Sequence, residues 1–212
     1  MEKVQLRRPF FVCNPKSYLY GEEEYDNGKY IGDFYDNKRE GKGSYIWNSK
    51  DKYVGEFEGD KIEGRGVYEW ANGEKYEGDF KNGKKDGKGI YYYPSGSKYD
   101  GDFKENKREG KGIFYYKSGN RYEGDFKNDE REGAGIMYYK NGDREMGNYL
   151  NDKKVGIHMI LYHDGKSEVK DYDKKEENME EEKNEQNAQN NDKIEEEKIE
   201  SNKELDELIK NE

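Results

Sequence analysis

Three kinds of side chain in this sequence could do chemistry. A carboxylate recurs at Asp33, Glu56, Asp79, Asp102 and Asp125, always 23 residues apart. Two histidines, His158 and His163, stand five apart, and a single cysteine, Cys13, lies near the start. A ladder of acids invites a catalytic reading, but a repeated array has no reason to place a catalytic acid in every unit; the acids read as hairpin ion pairs. The histidines have opposite parity along a strand and point to opposite faces, so a shared metal is not expected. Cys13 has no partner for an intramolecular disulfide, which fits an intracellular chain, and only Lys16 offers it a cationic setting. No nucleophile elbow, P-loop or dinucleotide fingerprint is present. Gly-Lys-Gly recurs, but it leads into a strand and lacks the helix N-terminus that binds phosphate. No enzyme, cofactor or metal is expected.

The period of the acids is the period of the chain. Units begin at Tyr30, Tyr53, Tyr76, Tyr99 and Tyr122. A sixth, degraded unit begins at Glu145, and a half unit, 18–29, precedes the first. Within a unit, position 1 is Tyr, position 3 Gly, position 5 Phe, positions 12 and 14 Gly, and position 18 Trp or Tyr (Tyr76, Gly78, Phe80, Gly87, Gly89 and Tyr93 in the third). Spacing of two places side chains on one face of a strand, so each unit reads as two strands, positions 1–5 and 12–18, joined by turn residues.

The residues also suggest a register. Pairing position 4 with position 13 of the same unit sets Asp33 against Lys42, Glu56 against Arg65, Asp79 against Lys88 and Asp102 against Lys111. Such pairs contribute roughly 0.2–1 kcal/mol each. The same register sets Tyr76 opposite Tyr91, Gly78 opposite Gly89 and Phe80 opposite Gly87, with the glycines leaving a floor on which the rings lie.

The pattern Y-x-G-[DE]-F, then G-x-G-x-[YF]-x-[WY], then N-G or S-G resembles the MORN repeat (membrane occupation and recognition nexus), from Tyr18 to about Lys166. The sixth unit departs from it: Glu145 replaces Tyr, Tyr149 replaces Phe and His158 replaces the second Gly. Its hairpin is expected to be distorted or to act as a cap. The resemblance implies an all-β, elongated, single-layer antiparallel meander, about 4.8 Å per strand and on the order of 60 Å long. It further implies proteins that link cytoskeletal or axonemal parts, or hold membranes near other structures. Some radial-spoke-head proteins share the layout of repeats followed by an acidic tail. Relatives with an attached lipid kinase or methyltransferase domain need residues that do not remain here.

The domain reading is an arm (1–17), an array (18–167, made of the half unit, five full units over 30–144 and the degenerate unit 145–167) and an acidic tail (168–212). In the arm, Leu6, Phe10, Phe11 and Val12 would cover the first sheet edge or serve as a docking peptide. The tail holds 18 acids against 8 Lys, so it carries the whole net charge of −10 and reads as solvated and disordered or partly helical. Ser201 to Glu204 forms a capping box ahead of Leu205, Leu208 and Ile209, a short amphipathic helix over 202–210 or a transient one.

Two surfaces remain as binding candidates. The aromatic stripe offers Trp70, Tyr91, Tyr93, Phe114, Tyr116 and Tyr139 as anchors for a protein partner, a peptide or helix lying in a groove. The turn edge offers Lys38, Arg39, Lys84, Lys85, Lys107 and Arg108 to anionic membrane lipids, at about 1 kcal/mol per residue near the surface, though acids interleave them. Nucleic acid is not expected, because the net charge is wrong for a phosphate backbone. Exposed sheet ends and faces leave a homodimer open. The expected function is a non-catalytic scaffold or adaptor for protein partners in a cytoskeletal or ciliary/axonemal assembly of the cytoplasm. The alternative is a membrane tether that binds anionic phospholipids.

Overall fold

A computed structural model describes residues 18–174. The arm (1–17) with Cys13, and the helix expected over 202–210, lie outside the described residues. The chain divides into two units, 1–170 and 171–212, and the repeats belong to the first.

The described residues contain no helix. They form fourteen strands: β1 (Leu19–Tyr25), β2 (Gly28–Tyr35), β3 (Lys38–Trp47), β4 (Lys52–Glu58), β5 (Lys61–Glu69), β6 (Lys75–Lys81) and β7 (Lys84–Tyr92). After these come β8 (Lys98–Lys104), β9 (Lys107–Tyr115), β10 (Arg121–Lys127), β11 (Glu130–Tyr138), β12 (Arg144–Leu150), β13 (Lys153–Leu161) and β14 (Ser167–Asp171). All lie in one open sheet in sequence order, each pair antiparallel where its register is defined. The sheet therefore runs past residue 167, the end expected for the array. In β14, Glu168 and Val169 repeat the places of Glu145 and Met146, so β14 stands where the first strand of a seventh unit would.

Each unit is a hairpin closed by a two-residue turn at positions 7 and 8. Asn82 and Gly83 have φ of 50° and 76°, and the other five turns are alike, as a type I′ turn requires. The second strand thus begins at position 9, not 12. Tyr76 faces Tyr91 and Gly78 faces Gly89, as the sequence suggests, but Phe80 faces Lys85 rather than Gly87. Between these pairs one residue, Asp79, stands against three: Asp86, Gly87 and Lys88. This bulge absorbs the two residues by which the tight turn and the outer register disagree. Gly87 is its pivot, at φ 115°, and every other position-12 glycine also has positive φ. Position 12 is glycine for backbone reasons, not to floor a ring.

The bulge also redirects the charges. The Asp79 carboxylate accepts the Lys88 backbone N–H (2.9 Å), which stitches the bulge shut. The Lys88 side chain reaches the next unit and pairs with Asp102. Arg65 likewise pairs with Asp79 (3.3 Å) and Lys111 with Asp125 (2.6 Å). The ion pairs expected inside each unit are instead bonds between units, modest in strength because they are exposed.

The core is one row of rings on one face. Tyr76 lies over Gly89, where a Cβ would sit 2.4 Å from its ring, and the other position-1 tyrosines lie the same way over Gly43, Gly66, Gly112 and Gly135. Each hydroxyl donates to the carbonyl of position 4, the residue at the bulge (Tyr76 Oη to Asp79 O, 3.0 Å). Position 1 is therefore Tyr and not Phe. The ring edges pack against two phenylalanines, one from the same unit and one from the next: Tyr76 lies 5.0 Å from both Phe80 and Phe103. This alternation continues from Tyr30 to Tyr149 and joins unit to unit without a second layer.

The sixth unit is neither distorted nor the end of the sheet. Its register matches the others, with Glu145 facing Ile160 and a bulge after Met146. The ring has changed strands. His158, at the position of the floor glycine, lays its imidazole over Gly147, and its Nε2 is 2.9 Å from the Asn148 carbonyl, the bond the tyrosine hydroxyl makes elsewhere. Glu145, in the tyrosine's place, is buried; its carboxylate holds His158 Nδ1 (3.2 Å), Lys154 Nζ (2.6 Å) and the Tyr139 hydroxyl (2.6 Å).

Candidate functional site

The rings of positions 16 and 18 form a second row beside the core, on the same face. They follow one another across the sheet in the order Tyr45, Trp47, Tyr68, Trp70, Tyr91, Tyr93, Phe114 and Tyr116. Centroid separations run from 4.4 Å (Tyr68–Trp70) to 5.6 Å (Tyr93–Phe114). Strand alternation explains the row: position 16 faces position 1 across the hairpin, as Tyr91 faces Tyr76, position 18 lies two residues further along on the same face, and neighbouring strands bring equivalent positions side by side.

Of the expected anchors, Trp70, Tyr93, Phe114 and Tyr116 are half-buried and contiguous. Tyr91 is buried and stands in the row between Trp70 and Tyr93. Tyr139 is half-buried, but Met137 takes the position-16 place between it and Tyr116, and its hydroxyl is bonded to Glu145. Trp47 and Tyr68 extend the row toward β1. Burial pushes the Tyr93 and Tyr116 hydroxyls above the ordinary tyrosine value, so both rings are neutral hydrogen-bonding groups across the physiological range.

The basic residues do not form one edge. Lys38, Lys84 and Lys107 stand on the turn rim, where Lys84 meets Glu105 (3.7 Å) and Lys107 meets Asn128 (3.1 Å). Arg39, Lys85 and Arg108 occupy position 10, which points to the aromatic face, and fold over the rings. Arg39 lies 5.2 Å from the Tyr25 and Tyr45 centroids, Lys85 4.2 Å from Tyr91 and Arg108 5.3 Å from Phe126. Arg131 continues the row, 4.8 Å from Tyr149. The sequence carries a cation at position 10 in five of six units, which is the signal that separates these residues from the rim.

The opposite face offers a shallow open trough. Gly101, Gly112, Gly124 and Gly135 floor it, Lys88 and Lys111 form one bank, and Ile113 and Ile136 form the other. His163 is exposed on a loop beside Asp143 (3.1 Å), far in character from the buried His158. Among the described residues no group of three His, Cys, Asp or Glu could hold a metal ion, and no helix is long and apolar enough to cross a membrane.

Among solved structures, the SAS-4 (dCPAP) TCP domain of Drosophila melanogaster, in complex with a proline-rich motif of Ana2 (dSTIL), is 14% identical. That match covers 80% of this chain and 97% of that chain, with a TM-score of 0.45. The G-box domain of the microcephaly protein CPAP is 12% identical over 78% of this chain and 98% of that chain, with a TM-score of 0.36. No curated protein matches the chain significantly. The family model for the MORN repeat matches residues 30–52, 53–75, 76–98, 99–121 and 122–144, the five regular hairpins described above. These five copies span more than half of the sequence, and the chain belongs to the MORN repeat family.

Proposed function

We propose that this chain is a non-catalytic scaffold whose aromatic face takes an extended or helical segment of a protein partner. The observation that carries the reading is the unbroken ring row from Tyr45 to Tyr116, half open to solvent through Trp47, Trp70, Tyr93 and Tyr116. Tyrosine and tryptophan are the commonest anchors of interfaces, and a face with one open side has area to give them. The division of the basic residues speaks against the membrane alternative. Half of them are committed to the ring face, and two of the three on the rim already have polar partners. A cytoskeletal or ciliary assembly is the setting we propose, and that rests on the family resemblance alone.

The test compares two variants of the full chain, each first shown to keep its β-sheet spectrum. Tyr93→Ala with Tyr116→Ala opens the ring row; Lys38→Ser, Lys84→Ser and Lys107→Ser strips the rim. The first is expected to lose a protein partner that the second retains. Sedimentation with anionic vesicles at physiological salt, abolished by the rim variant and untouched by the ring variant, would establish the membrane tether in its place.

A further inference from the structure

The cations over the ring face are held by a repeated clamp. Arg39, Arg108 and Arg131 each reach the turn of the following unit. Their Nε atoms lie 3.2, 3.3 and 2.9 Å from Oδ1 of Asp60, Asp129 and Asp152, and the same oxygens accept their backbone N–H groups. Each guanidinium also donates to the carbonyl of the aspartate it grips. Charge is therefore met by charge at these three joints.

Lys85 occupies the same position in the third unit, and there the clamp is half missing. The following turn carries Asn106 where the others carry Asp. The backbone half survives: the Lys85 N–H donates to Asn106 Oδ1 (2.9 Å). The charged half does not, and among the described residues no carboxylate lies within ion-pair distance of the ammonium. It sits instead among four rings, 4.2 Å from the Tyr91 centroid, 5.4 Å from Phe103, 5.6 Å from Trp70 and 5.7 Å from Tyr76. Glu74 and Asp129 are the acids whose fields reach it, but Glu74 serves the Tyr91 hydroxyl and Asp129 serves Arg108. Ring faces compensate a desolvated cation only in part. Burial accordingly pulls the Lys85 ammonium below the ordinary lysine value. A half-buried charge without a counter-ion is costly to keep, and on an open face a ligand's carboxylate can supply the missing partner.

We propose that Lys85 is the carboxylate-binding residue of the aromatic face: the segment that docks there presents an Asp, a Glu or a free C-terminal carboxylate to the Lys85 ammonium, beside the Trp70 and Tyr91 rings. This rests on the reading of that face as the docking surface and adds to it a chemical requirement on the partner. The ring row supplies apolar anchoring that many sequences satisfy, and Lys85 selects among them. Arg39, Arg108 and Arg131 cannot play this part, since their charges are already matched.

The test uses the full chain and a display library of random 12-residue peptides. Peptides selected on the wild type are expected to carry an acid, or to end in their carboxylate, at a fixed distance from an aromatic or aliphatic anchor. A selected peptide is then synthesised with its acid and with the corresponding amide. The amide is expected to bind the wild type about 30-fold more weakly or worse, as truncation of one partner of a desolvated charge pair does, and to bind Lys85→Met as well as the acid does. Lys85→Met should also melt at or above the wild-type temperature, because it removes an unpaired charge; a cation whose role is structural would instead lower it. Selection without any acid preference, acid dependence that persists in Lys85→Met, or a loss of stability in that variant would each overturn the assignment. A wild type that selects no peptide at all would refute the docking surface itself, and Lys85's role with it.

Discussion

The exchange of residues in the sixth unit can be undone one residue at a time, and the outcome is expected to be sharply non-additive. His158→Gly removes the imidazole that covers Gly147, its bond to the Asn148 carbonyl and its edge contact with Tyr149 at 5.4 Å. It also leaves buried Glu145 to Lys154 and Tyr139. A vacated ring site and a lost buried partner cost about 2 kcal/mol at the least. Glu145→Tyr directs a second ring toward a floor that His158 already occupies, and strips the carboxylate from His158 and Lys154. Overpacking and orphaned polar groups together cost about as much. The double variant, Glu145→Tyr with His158→Gly, restores the residue types of the five preceding units and should lie within about 1 kcal/mol of the wild type. The coupling energy is then about 3 kcal/mol, the upper end for residues in contact. Hydrogen exchange of the β12 and β13 amides reads it locally, which suits an array whose units open separately. Additive costs, or a neutral His158→Gly, would refute the claim that one ring has been traded across the hairpin.

Two further outcomes follow from the core row. Gly89→Ala would put a Cβ 2.4 Å from the Tyr76 ring and so expel it from its contacts with Phe80 and Phe103; a loss of about 3 kcal/mol is expected in chemical denaturation. Gly83→Ala, also a glycine in the third unit but in the turn with open space around it, should cost only about 1 kcal/mol for its positive φ; equal costs would contradict the ring floor. Burial raises the hydroxyls of Tyr30, Tyr53, Tyr76, Tyr99 and Tyr122 above the ordinary value of 10, and pushes Tyr149 up to about 12. Above pH 10 the unfolded chain therefore loses protons that the folded chain keeps, and stability falls as pH rises; below pH 10 these groups contribute no slope. Melting temperature against pH, with phenolate absorbance followed in parallel, should show the core tyrosines ionising only as the sheet is lost.

Much of the sheet is legible in the sequence because strand alternation and the 23-residue period constrain each other. Tyr76 opposite Tyr91 and Gly78 opposite Gly89 follow from parity and from the need to give each ring a floor. What parity cannot report is a shift of two, which leaves every residue on its face; hence the sequence pattern hides the bulge at Asp79 and Gly87, and with it the transfer of the Lys88 charge to Asp102 in the next unit. Glu145 and His158 look like two losses when read singly, since the pattern holds no term for a ring that crosses to the partner strand. That Trp70, Tyr93 and Tyr116 fall in one half-buried ring row follows from spacing alone. Arg39, Lys85 and Arg108 look like rim residues beside their turn neighbours, although their spacing of six from Tyr45, Tyr91 and Phe114 places them on the ring face.

Both tryptophans of the chain, Trp47 and Trp70, stand at position 18 in the open ring row. Their emission is thus a direct report of what covers the aromatic face. Titrating the full chain with a protein segment that binds it should shift this emission to the blue and shield it from acrylamide, while anionic vesicles at physiological salt leave it unchanged. A partner that binds tightly with both indoles still open to the quencher, or vesicles that shield them, would contradict the central claim that the ring row is where this scaffold holds its partner.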